Sequence, residues 1–138
     1  MNNNTFKKNY IAVVSGTLDK KRDIINVPIA RKENSIIERC ISDDGDTAIT
    51  EYYVIKQLDD MSLLYISLHT GRTHQIRVHM QYIGHSIVGD SLYGNSSSLI
   101  NRQALHACKV NFIHPITKEH MDIEANLPKD ILKLVQNR

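Results

Sequence analysis

The sequence predicts an α+β domain built on a mixed, largely antiparallel sheet with a few helices, and three observations predict it. First, 138 residues suffice for one well-cored domain and not for two. Second, 41% hydrophobic and 23% charged residues give the balance of a globular protein rather than of a disordered tail. Third, short β-branched runs joined by hairpin signals outnumber segments of helical period, which favours antiparallel order over alternating β–α units.

The first element is a strand over Lys8–Gly16, apolar and β-branched, ended by its glycine. From Leu18 to Thr47 the chain is polar, with Pro28 and the turn signal Asp43-Asp44-Gly45-Asp46, and reads as short strands or a long hairpin. Ile49–Leu58 alternates, placing Thr50, Tyr52, Val54 and Lys56 on one side and Glu51, Tyr53, Ile55 and Gln57 on the other. Leu63–Leu68, reached through Asp59-Asp60, is its antiparallel hairpin partner. The period then changes. Ile76, Met80 and Ile83 recur at helical spacing from about His74, Thr73 stands where an N-cap is needed, and Gly84 can end the helix in a left-handed conformation. A loop rich in glycine and serine follows. Two further strands are expected near Ala107–Ile113 and Met121–Ala125, and a closing helix follows Pro128.

The net charge of +2 announces no partner, but its distribution is uneven. No acidic residue lies between Asp60 and Asp90, a stretch holding Arg72, Arg77 and four of the seven histidines. The run His69–Gly94 enters its helix through a glycine turn and presents Arg72, Thr73, His74, Gln75 and Arg77. Free N–H groups at a helix start beside guanidinium forks suit a phosphate or carboxylate. Read from the residues alone, the competing possibility is that Arg72 is simply solvated and Arg77 pairs with a structural acid. The histidines offer no ligand set at zinc spacing, and Cys40 and Cys108 read as ordinary thiols of a reducing compartment. The longest apolar run, Ile11-Ala12-Val13-Val14, is far too short to cross a bilayer, and no signal peptide is evident. A cytoplasmic protein with no membrane association is the expectation.

Thr70-Gly71-Arg72-Thr73-His74-Gln75-Ile76-Arg77-Val78-His79, followed by Gly84-His85-Ser86-Ile87-Val88-Gly89-Asp90-Ser91-Leu92-Tyr93, closely resembles the signature of the RluA-type RNA pseudouridine synthases. Ser86 stands where that family usually has proline. The resemblance extends to Lys8-Asn9-Tyr10, to Ala48-Ile49-Thr50-Glu51-Tyr52, and to Leu105-His106-Ala107 with His114-Pro115. It implies the pseudouridine synthase catalytic fold and an isomerase that breaks the glycosidic bond of a chosen uridine in structured RNA, turns the base and rejoins it through carbon. It implies no metal and no cofactor, with ribosomal or transfer RNA as partner. Tyr10 matches the tyrosine that packs on the uracil and is implicated in proton transfer. Arg77 matches the arginine that pairs with a nucleophilic aspartate. Arg72, Thr73, His74 and Gln75 are the expected RNA-binding residues.

The family's Arg-Leu-Asp motif, which carries that aspartate, is not found in this chain, and Asp90 matches a different family position, in a turn. The expectation is therefore that residues 1–138 are the C-terminal portion of a catalytic domain whose N-terminal portion is absent. Alone, the chain should be inactive, and an uncovered sheet edge and apolar face should drive self-association. Two other functions fit the same residues: a non-catalytic RNA-binding module, or a self-associating structural remnant.

Overall fold

The computed structural model describes residues 8–108 and 127–136. Its centre is a five-stranded sheet formed by β1 (Lys8–Ser15), β2 (Arg22–Asn26), β5 (Ile49–Gln57), β6 (Met61–Leu68) and β7 (Leu105–Cys108). The spatial order is β2-β5-β6-β1-β7, with every pairing antiparallel. Between β2 and β5 the polar stretch forms a separate two-stranded hairpin, β3 (Ile29–Arg31) and β4 (Arg39–Ile41). The helices are α1 (Gln75–Tyr82) and α2 (Lys129–Gln136). The α+β architecture expected from the sequence is the one observed.

β5 and β6 form the predicted hairpin, closed by the Leu58 N–H donating to the Met61 carbonyl. The strict alternation expected along β5 is interrupted: the register shifts between Val54 and Lys56. That bulge puts Lys56 opposite Leu63, whereas Val54 lies opposite Leu64, so the two side chains face opposite sides of the sheet. On one face, Thr50 bonds two side chains of α1. On the other, the Lys56 ammonium donates to the Val135 carbonyl of α2 at 3.2 Å. The sheet is thus held between the two helices, and every residue of β6 is buried.

Among the described residues the apolar side chains of the central strands are covered: Ile11, Ala12, Val13, Leu63, Leu64 and Ile66 are all 0–1% exposed. The exposed large apolar side chains are scattered, the most exposed being Ile36 and Ile37 between β3 and β4. Tyr52 is core, whereas Tyr53, on the other side of the strand, is half-exposed and donates its hydroxyl to Glu51.

The ends of the helices differ from the sequence reading at one terminus and match it at the other. At the C-terminus Gly84 adopts φ +86; its N–H donates to the Gln81 carbonyl and the His85 N–H to the Met80 carbonyl. That pair of bonds is a Schellman motif, which needs a left-handed residue. At the N-terminus the cap is His74, not Thr73, and it makes no side-chain capping bond to the helix. α2 is preceded by Pro128, whose carbonyl accepts from the Leu132 N–H. It is tied down by Arg102, whose fork grips Asp130 at 2.9 and 3.0 Å. β7 begins earlier than expected, at Leu105; the remainder of that predicted strand, the one near Met121–Ala125, and His114-Pro115 lie outside the described residues.

Candidate functional site

The site is assembled where α1 meets the hairpin β3–β4 and the loop that follows the helix. α1 turns Ile76 and Met80 into the main core, as the spacing predicts, and Val78 into a second cluster with Ile29, Ala48 and Tyr93. The helix is therefore gripped from two directions, and Arg77 is directed between them.

Arg77 makes a two-pronged ion pair with Asp90: Nε to Oδ2 and Nη2 to Oδ1, both 2.9 Å. The Asp90 side chain is completely buried and that of Arg77 is 18% exposed. Asp90 Oδ1 also accepts from the Leu92 and Tyr93 N–H groups, so the carboxylate shapes its own turn while it orients the guanidinium. Burial pushes the Asp90 carboxyl upward, but Arg77 and those two amides outweigh it and hold it below the usual carboxylate range. Hydrogen bonding to Asp90 correspondingly raises Arg77. The Tyr93 ring lies under the guanidinium, 5.0 Å from Cζ. Of the two readings left open by the sequence for Arg77, its partner among the described residues is a structural acid. Its Nη1 makes no hydrogen bond there, so part of the fork remains available to a second anion.

The Tyr93 hydroxyl accepts from the Arg39 backbone N–H at 2.8 Å and lies 2.7 Å from His74 Nδ1. The hydroxyl donates to Nδ1 when the imidazole proton sits on Nε2 and accepts from it in the other tautomer. Burial first, then Arg77 and Arg39, hold His74 below its ordinary pKa and so favour the neutral ring. His74 is left-handed, φ 58 and ψ 20, a strained conformation for a residue with a Cβ. The bond to Tyr93 helps hold it there. A single phenol thus ties β4, the start of α1 and the arginine together.

Gln75 is 2% exposed and all its amide bonds are internal. Its Oε1 accepts from the Thr70 hydroxyl and the Arg72 N–H; its Nε2 donates to the Ile49 carbonyl and the Thr50 hydroxyl. The Arg72 amide, beside the helix start, is consequently taken. Gln75 holds the entry turn against β5, and none of its polar atoms is left for a ligand. Arg72 and Thr73 are exposed, and Arg72 spends only its Nε, on the Thr47 carbonyl.

Tyr10 is half-buried at the start of β1, opposite Ile66 and Ala107. Pairing across the sheet puts Tyr10, Ile66 and Tyr52 in one row, with Leu68 and Thr50 in the next row on the same face. Because Thr50 bonds α1, Tyr10 and Arg77 lie on the same side of the sheet. No hydrogen bond joins them. Among the described residues no three His, Cys, Asp or Glu side chains converge on a metal-sized site. The residues that sequence reasoning undervalued are Asp90 and Tyr93. A signal for Asp90 was present: it is the first acid after a long cationic stretch, followed at two and three residues by amides that an aspartate can accept from.

The family model for RNA pseudouridylate synthase matches residues 1–82. The sequence is 47% identical over 134 residues to YjbO of Bacillus subtilis (strain 168), named as an uncharacterized RNA pseudouridine synthase, covering 97% of this chain and 47% of that protein. It is 38% identical over 144 residues to ribosomal large subunit pseudouridine synthase D of Blochmanniella floridana, covering 93% and 45%. Among solved structures, human RNA pseudouridylate synthase domain containing 1 superimposes with a TM-score of 0.68 at 27% identity, over 79% of this chain and 55% of that one. The chain spans about half the length of the curated relatives it matches.

Proposed function

We propose, from the premise that this chain belongs to the RNA pseudouridylate synthase family, that it carries the C-terminal portion of that family's catalytic domain and two of the groups at the reacting uridine. The observation that supports this most strongly is the family match over residues 1–82, a stretch that contains both Tyr10 and Arg77. The reaction is isomerisation of uridine to pseudouridine in structured RNA, ribosomal or transfer, in the cytoplasm. The aspartate that attacks or deprotonates the nucleotide is supplied by a segment outside these 138 residues.

In this reading Tyr10 offers an aromatic face to the extruded base, replacing the stacking lost on leaving the helix, and a hydroxyl within reach of proton transfer. Arg77 keeps the incoming carboxylate ionised and oriented through the part of its fork that Asp90 does not use. Two carboxylates then share one guanidinium. Asp90 fixes where the cation stands, and Tyr93 and His74 fix the turn it stands on. Arg72 and Thr73 face the RNA; Gln75 and His74 act through the geometry they impose. Self-association through the surface that the absent N-terminal portion would cover belongs to the same reading; among the described residues β2 and β7 are the outer strands of the sheet.

The test joins this chain to the remaining portion of its Bacillus subtilis relative and measures pseudouridine in unmodified cellular RNA by nucleoside mass spectrometry. The 138 residues alone give no product; the joined protein does. Tyr10→Phe then lowers the rate by about 10²-fold, the usual scale for a lost proton-transfer group. Arg77→Lys, which keeps the charge but not the fork, lowers it at least about tenfold. Product from the isolated chain, or full activity in both variants, would overturn the assignment.

A further inference from the structure

Beside the site, the hairpin β3–β4 and the turn before α1 enclose a pocket of about 280 Å3 whose wall includes Arg31, Arg39, Arg72, Gly71, Thr73 and Asp46. We infer that this pocket is a binding site for the phosphodiester backbone of RNA, with Arg31, Arg39 and Arg72 as its anion-binding groups. The inference rests on the family reading above for the identity of the polyanion, and on the following geometry for the site.

Arg31 and Arg39 are directly opposite each other in the β3–β4 register, so their side chains leave the same face of the ribbon. Like charges so placed destabilise a hairpin. The neighbouring pair shows the ordinary solution: Lys32 and Glu38 form an ion pair at 3.3 Å. Arg72 then brings a third guanidinium to the same wall from another element. None of the three makes an ion pair among the described residues, although Asp46 lines the pocket with them. Arg39 bonds only the Ile37 and Glu38 carbonyls, and Arg72 only that of Thr47. Three cations facing one small cavity with one carboxylate leave a net positive wall, and an anion from outside supplies the missing charge.

Gly71 adds an independent observation. Its φ is not in the left-handed region, and a Cβ built on it would meet nothing within 4 Å. The fold does not demand glycine there; an open backbone does suit close approach of a ligand, as glycine does wherever phosphates are cradled. The volume is small against the roughly 300–1,000 Å3 of ordinary small-molecule sites. That suits a phosphate group better than a base.

The experiment is fluorescence anisotropy of the 138-residue chain with a labelled, unmodified RNA stem-loop across a salt series. Arg31→Ala, Arg39→Ala and Arg72→Ala are each expected to weaken binding and to reduce the slope of log affinity against log salt by about 0.7–0.9. Arg31 is exposed and its side chain makes no hydrogen bond or ion pair among the described residues, so its variant tests the pocket with little folding risk. Lys129→Ala, on α2 across the sheet, should leave the slope unchanged. Unaltered slopes in all three arginine variants, an equal loss at Lys129, or no RNA binding by the parent chain would overturn the inference. So would displacement of the RNA by polyglutamate of matched charge or by micromolar inorganic phosphate, which would point to a protein or a free-phosphate ligand instead. Failure here with the joined protein still forming pseudouridine removes the pocket and leaves the family activity; reduced slopes in the arginine variants with no activity in the joined protein do the reverse.

Discussion

Asp90→Ala is expected to lower the stability of the chain by about 3–5 kcal/mol, read as a shift in the urea midpoint with little change in slope. The side chain is wholly buried, and its removal strands the Arg77 guanidinium, only 18% of whose surface reaches solvent. It also leaves the Leu92 and Tyr93 amides without an acceptor. Those losses reinforce each other, because a turn that no longer holds Tyr93 also releases the ring under Arg77 and the phenol that bonds His74 and Arg39. The diagnostic variant is the double one: Asp90→Ala with Arg77→Met should be less damaging than the sum of the two, since neither buried charge is then left alone. A loss under about 1 kcal/mol for Asp90→Ala, or simple additivity, would show that the pair does not organise the site. The carboxyl's depressed pKa gives the interaction a pH signature as well. Its contribution is complete above the unfolded value of about 3.9 and is lost as pH falls through the lower folded value.

How much of this was legible beforehand follows from what kind of interaction is involved. The β5–β6 hairpin, the helical spacing of Ile76 and Met80 and the stop at Gly84 are local patterns, and each is where the sequence places it. The N-cap was misplaced for an equally physical reason. Thr73 has the right side chain, but Gln75, called to β5 by Ile49 and Thr50, fixes the entry turn and leaves His74 at the cap. The bulge in β5 was invisible because nothing in Val54-Ile55-Lys56 demands it; it is fixed by the partner strand and by α2. The arginine pocket was half-visible. Arg72 stood out in its acid-free run, whereas Arg31 and Arg39 meet it only after a hairpin register that polar sequence specifies weakly.

Thr50→Val should cost about 2–5 kcal/mol, although it conserves volume. The Thr50 hydroxyl is the middle of a buried chain: it accepts from Gln75 Nε2 at 2.9 Å and lies 2.8 Å from His79 Nδ1. Having accepted from Gln75, it donates to His79, whose Nε2 then carries the proton and donates to the Val27 carbonyl at 3.0 Å. Valine leaves one Gln75 N–H and one His79 nitrogen unpaired where Thr50, Gln75 and His79 are at most 2% exposed. Each such orphan costs about 1–3 kcal/mol. Thr50→Ser, which loses only a methyl group, should cost no more than about 1 kcal/mol. The order serine milder than valine is the discriminating outcome, and the reverse would mean that packing rather than hydrogen bonding seats α1. The same chain makes the fold sensitive to mild acid. Burial holds His79 below its ordinary pKa despite the opposing carbonyl of Val27, so the ring is neutral when folded. Stability from this group is complete above the unfolded value of about 6.5 and declines as pH falls through the folded one. Nitrogen chemical shifts of the His79 ring should show a proton on Nε2 alone at neutral pH. A ring that titrates at or above 6.5 would break the chain of donors at its last link, and with it the account of how the sheet positions the helix that carries Arg77.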